Sequence, residues 1–230
     1  MRLTVRHHFD FGADRAVVGD DLVRPEAWDA LRTQTSGGFA LGTTREEWER
    51  TADAHPQLGA RARRLDALFA RRGARRIASY GAGGATIECW LKRVAPDREI
   101  VVTDYAPATI ERLRPIFAEA ECVVHDLATD PPLDADVHLF HRIETEFDNR
   151  RWREILARFS GQSVVFVAAG QVGLRGALVE VARGLLPRSS RAGWVRTRPA
   201  IEALWEPTHS AHPVDVGDLP AWELEPKMPS

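Results

Sequence analysis

The run Ile77-Ala78-Ser79-Tyr80-Gly81-Ala82-Gly83-Gly84-Ala85-Thr86 carries the clearest chemical signal in the chain, because an apolar strand pattern enters a glycine-rich turn and leaves it as a helix. Glycines in such a turn reach backbone angles that other residues avoid, and they let a ligand lie against bare peptide. Three ligand classes compete for it. A phosphate-binding P-loop needs G-x-x-x-x-G-K-[ST], and no lysine follows. A dinucleotide fingerprint, G-x-G-x-x-G or -A, places Thr86 in its last position when counted from Gly81. A turn of the G-x-G-x-G kind fits with Ala85 in the last place.

Elsewhere, His141 closes a strand pattern in Leu139-Phe140-His141-Arg142. An imidazole, with an unperturbed pKa of about 6.5, is suited to take a proton from a hydroxyl, phenol or amine. Arg142 and Glu144 follow closely enough to orient a substrate, and equally fit a solvated loop. His7, His8 and Asp10 do not form a metal site, since adjacent side chains diverge and nothing completes the set. Cys89 and Cys122 lack metal-ligand spacing, and their apolar flanks predict buried thiols.

Strand and helix patterns alternate around the turn, which is the signature of a parallel sheet. Strands are expected at Arg75–Tyr80, Glu99–Thr103, Cys122–His125, Asp136–Phe140 and Ser163–Ala168. Helices are expected at Leu58–Arg72, Thr86–Val94, Pro107–Glu119, Arg150–Phe159, Leu174–Leu185 and Arg198–Trp205, the third kinked by Pro115. Val214–Asp218 and Ala221–Leu224 read as two short antiparallel strands at the sheet edge. The fold class is therefore α/β, a Rossmann-like and mostly parallel sheet flanked by helices.

Ahead of this domain, assigned to residues 58–230, residues 1–57 read as a helical cover without sustained periodicity. Thr44 and Glu47 match a capping box for a helix carrying Trp48 inward. Trp28, Phe39 and Trp48 are candidates for a lid over an apolar substrate, hinged at Gly37-Gly38; plain packing anchors are the alternative.

The glycine turn resembles motif I of the class I S-adenosylmethionine-dependent methyltransferases, and the resemblance continues over about residues 60–225. It implies that Tyr80, Gly81, Ala82 and Gly83 contact the cofactor. Asp104, ending Val101-Val102-Thr103-Asp104, would accept from both ribose hydroxyls, as a carboxylate's paired acceptors allow. Tyr105 would flank the adenine or ribose, Asp126 would meet the adenine amino group, Leu127 would lie beside the ring, and His141 would line cofactor and acceptor. Ser79 departs from the family, which often has an acid there. The resemblance implies O- or N-methylation of a small molecule, with secondary-metabolite tailoring as a context. A non-catalytic binding or regulatory protein on the same fold, and an NAD-dependent oxidoreductase, remain open as alternatives.

The formal charge of -2 gives no basic face for nucleic acid, which is not expected as a partner. No apolar run has the roughly 18 residues of a membrane span, and the first residues lack the apolar core of a secretory signal. A cytoplasmic monomer or homodimer is the resulting expectation.

Overall fold

The computed structural model describes residues 1–9, 25–34, 40–186 and 190–227. Phe39, Gly37, Gly38 and Asp10 lie outside them, and so do the lid and hinge roles expected there.

Seven strands form one sheet in the order β4-β3-β2-β5-β6-β9-β8: β2 (Arg76–Tyr80), β3 (Glu99–Asp104), β4 (Glu121–Val124), β5 (Val137–His141), β6 (Val164–Val167), β8 (His209–Asp215) and β9 (Pro220–Pro226). The first five run parallel, while β9 pairs antiparallel with both β6 and β8. All five expected parallel strands are present within one or two residues of their predicted bounds. The antiparallel edge is present too, although β8 begins at His209, five residues before the expected start, because Pro213 and two histidines mask its pattern.

Strand residues alternate between two cores, as a period of two requires. Ile77, Leu139 and Val165 face α3 (Pro56–Arg71), α4 (Thr86–Val94) and α5 (Pro107–Ile116). Ala78, Tyr80, Phe140 and Phe166 face α6 (Asn149–Arg158) and α8 (Arg198–Glu202). The α6 stripe is Trp152, Ile155, Leu156 and, just past its end, Phe159, all fully buried. Asp148 caps that helix by accepting from the Arg151 N–H at 2.8 Å. α5 stops at Ile116, three residues short of the expected Glu119 and one past Pro115, which lacks an N–H of its own to donate.

The N-terminal region departs from expectation. Thr4–Phe9 is a strand, β1, paired antiparallel with β7 (Ser190–Arg196), and α7 (Leu174–Arg183) packs against it. Neither strand alternates cleanly, and neither was expected. Two short helices follow, α1 (Pro25–Thr33) and α2 (Arg45–Asp53), and α2 carries the full Thr44–Glu47 capping box. Asp29 fixes α1 to the start of α5, its Oδ1 accepting from the Ala108 N–H at 3.1 Å. Arg112 on α5 donates back to the carbonyls of Arg32 and Leu41.

Candidate functional site

From β2 the chain builds outward to β3 and β4, then crosses to β5 on the other side of β2. A crevice opens at the carboxyl ends of parallel strands where the winding reverses in this way. The crevice here is a cavity of about 320 Å³ between those strand ends and α1. Gly81 and Gly83, Asp104 and Tyr105, Asp126 and Leu127, and Arg142 line it, as does Trp28 from α1. The sequence-predicted residues on separate strands are thus brought together.

Gly81 and Gly83 sit at φ +61° and +54°, in the left-handed region that favours glycine. A methyl group on Gly81 would come within 2.7 Å of Ile143 Cγ2, and one on Gly83 within 2.6 Å of Arg32 Nη2. Asp104 ties the turn to β3, one oxygen accepting from the Gly83 N–H at 2.9 Å and the other from Ala106 at 3.0 Å. Burial raises its pKa against those two bonds and the attraction of Arg32. Asp126 makes a tight local turn, accepting from the Ala128 N–H at 2.8 Å and the Thr129 hydroxyl at 3.1 Å. Arg142 holds an unusual φ of +62° at the rim.

Among the described residues, five expected site residues do not line the cavity. Tyr80 points into the α6 core, where its hydroxyl pairs with His138 Nδ1 and accepts from the Leu133 N–H, both at 3.1 Å. The alternation that sends Ser79 to one face sends Tyr80 to the other. Ala82 packs against the opposite core, its N–H bonded to the Thr103 carbonyl. Trp48 is buried behind the turn and donates its indole N–H to the Gly84 carbonyl at 2.7 Å. Glu144 turns inward to accept from the Ala169 and Gly170 N–H groups.

His141 is the fifth. Its Nε2 accepts from Arg61 at 3.1 Å, and Arg61 also pairs with Asp218. Burial first, then the guanidinium groups of Arg61 and Arg142, lower its pKa to about 3. The ring is a neutral acceptor for Arg61, with the lone pair a base would need already engaged.

Several cavity residues escaped sequence reasoning. Arg32 lies on Gly83 and stacks 5.1 Å from the Trp28 ring. Glu146, two residues beyond Glu144, is the acid that faces the cavity, hydrogen-bonded to Trp28. No local signal prefers it to Glu144, since a period of two sends residues i and i+2 to the same face. His125, another lining residue, donates from Nε2 to the Pro131 carbonyl at 3.0 Å, which leaves its buried Nδ1 without a protein partner. Tyr105 and Thr109 also line the cavity, and Tyr105 Oη and Thr109 Oγ1 are likewise buried without a protein partner. Among the described residues no cluster of metal-ligating side chains occurs, and no helix is long and apolar enough to cross a membrane.

At Ser79, where the resemblance leads one to expect an acid, the hydroxyl donates to Glu88 of α4. Glu88 is fully buried, and desolvation raises its pKa to about 7 despite that bond. A carboxyl whose folded pKa lies above its unfolded value weakens the fold as pH rises between the two. Glu88→Gln, which keeps an acceptor for Ser79, is therefore expected to raise the melting temperature at pH above about 7 and to leave it nearly unchanged below about pH 4.5. Thermal unfolding of both proteins across that range checks it; an unchanged difference at all pH values would contradict the assignment.

No family model and no curated protein matches the chain. Solved structures do match. The human N-acetylserotonin methyltransferase in complex with S-adenosylmethionine superposes with a TM-score of 0.59 at 13% identity, over 80% of this chain and 56% of that one. The mitomycin 7-O-methyltransferase MmcR gives 0.58 at 17% identity, over 94% and 76%. PigF with S-adenosylhomocysteine gives 0.56 at 13% identity, over 66% and 51%. This chain thus spans little more than half the length of the first and third. It has the Rossmann-like fold of these methyltransferases.

Proposed function

We propose that the chain is an S-adenosylmethionine-dependent methyltransferase acting on a small molecule at oxygen or nitrogen. The observation that carries this reading is the pairing of Asp104 with Gly83 across one cavity at the reversal of the sheet. It puts a bare glycine backbone and a paired-acceptor carboxylate side by side, as an aminoacyl chain joined to a ribose diol requires. The donor set fits that cofactor in a second respect. Buried polar atoms normally have partners, and the cavity-lining residues Tyr105, Thr109 and His125 each carry one that has no protein partner.

In this reading Gly81 and Gly83 hold the methionyl chain, Asp104 the ribose, and Tyr105, Asp126 and Leu127 the adenine. Residues 58–230 bind the cofactor, and the segment 1–57 covers the cleft through α1, with Trp28 and Arg142 at the acceptor side. When bound, the cofactor supplies an activated methyl group on a sulfonium. The protein's part is to align the acceptor and exclude water, which α1 serves by roofing the cavity.

Calorimetric titration with S-adenosylmethionine and S-adenosylhomocysteine tests the reading, with NADH as the control. Micromolar binding of the first two is expected. Binding of NADH alone would favour the oxidoreductase alternative, and binding of S-adenosylmethionine without turnover on a broad acceptor panel would favour the non-catalytic one.

A further inference from the structure

The helix α7 is amphipathic in the reverse sense. Its buried face carries Ala177 and Glu180, while its solvent face carries Leu174, Leu178, Val179 and Val181, with Leu185 in the turn that follows. These five side chains are between 50% and 84% exposed. Six of the nine large apolar side chains exposed among the described residues fall between Leu174 and Leu186, so the exposure is concentrated on one element and is not the ordinary scatter of a surface. The inward acid has its partners: Glu180 accepts from the His8 N–H at 3.1 Å and from Arg183 at 2.7 Å, and its Oε2 lies 2.9 Å from His7 Nδ1. The bonds to His7 and His8 pin α7 to β1 and fix which face turns outward.

Leu174, Leu178, Val181 and Leu185 follow one another at intervals of four, three and four residues, which gathers them into a single stripe. The spacing reads the same in both directions. A second copy of the helix laid antiparallel against the first therefore sets Leu174 against Leu185 and Leu178 against Val181, and the same pairs recur across a two-fold axis, as an isologous interface requires. That register places Arg175 opposite Gly184 and Arg183 opposite Gly176, so no like charges meet. The five exposed side chains present on the order of 400 Å² of apolar surface, which matches the apolar share of the about 800 Å² that each partner brings to a standard interface. We propose that the outward face of α7 is a docking surface for a second copy of this chain, joined as an antiparallel, two-fold helix pair.

Sedimentation equilibrium of the full chain between about 1 and 100 µM tests this, a range that brackets micromolar association. The wild type should approach twice the mass of one chain. Leu178→Glu puts a carboxylate into the apolar stripe of both copies, which should weaken association at least about 100-fold and leave single chains at the same concentrations. Leu178 is 64% exposed in one chain, so the variant should keep the circular dichroism spectrum of the wild type. A second variant checks the register. Leu174 and Leu185 lie about three helical turns apart in one chain and meet only between copies, so Leu174→Cys combined with Leu185→Cys should give a covalent dimer on oxidation. The native Cys89 and Cys122 are buried and do not compete.

A wild type that stays a single chain at about 100 µM would overturn the proposal; if that protein instead pelleted with vesicles of phosphatidylcholine and phosphatidylglycerol, the face would belong to a membrane. A dimer that persists in Leu178→Glu would place the interface elsewhere and overturn it equally. A dimer that forms no cross-link in the double cysteine variant would overturn the antiparallel pairing.

Discussion

Trp48→Ala is expected to destabilise the protein by about 3–5 kcal/mol, the usual cost of removing a large buried aromatic. Trp48 is 1% exposed and packs on Phe117 at 4.7 Å between ring centroids. It belongs to the same core as Leu65, Phe69 and Ile77, so truncation leaves a cavity against the sheet and not a surface dent. Its indole N–H also satisfies the carbonyl of Gly84, and losing that partner adds part of the desolvation cost of a buried acceptor. Because Gly84 belongs to the glycine turn, cofactor affinity should fall as well. Trp48→Phe separates the two effects: it keeps most of the volume and loses the hydrogen bond, for about 1 kcal/mol. Denaturant unfolding of both variants checks this. A loss under about 1 kcal/mol for the alanine variant would mean that α2 is a removable appendage.

Asp104→Ala is expected to weaken S-adenosylmethionine binding by about 1–3 kcal/mol, or roughly 5- to 150-fold, through loss of charge-assisted acceptors in a buried site. The same change strips the N–H groups of Gly83 and Ala106 of their acceptor. The turn is then held less firmly, and stability should fall with affinity. Asp104→Asn divides the contributions, since one amide oxygen can still accept from one backbone N–H while the charge is gone. Calorimetry gives the affinities, and unfolding gives the stabilities. Unchanged affinity in the alanine variant would mean that the ribose does not lie against Asp104.

The parallel core was legible because its signals are local. Each strand is an apolar run beside its turn, and the capping box at Thr44 needs only four residues. The β1 and β7 pair was not legible, since its partners are separated by most of the chain and Gly193 interrupts one of them. For the site, the lining positions at strand ends were readable as far as backbone order fixes them, which is why Asp104, Asp126 and Arg142 fall together. Side-chain direction was the harder part. Tyr80 ends β2 and His141 ends β5, one residue past the expected Phe140, so both follow the strand's alternation away from the cavity, and Glu144 and Glu146 are told apart only by which one the loop turns inward. Arg32 lies in a region with weak periodicity, and nothing local shows that α1 folds over Gly83.

The segment that carries α1 is held at both ends, by β1 in the small sheet and by Trp48 of α2 in the main core. That makes closure over the cleft an intramolecular event. Should the Asp29 contact to Ala108 break, α1 stays covalently tied to the two elements that hold the ends of its segment, β1 and α2. Any re-docking of α1 is then a first-order process, whose rate does not depend on how much protein is in solution.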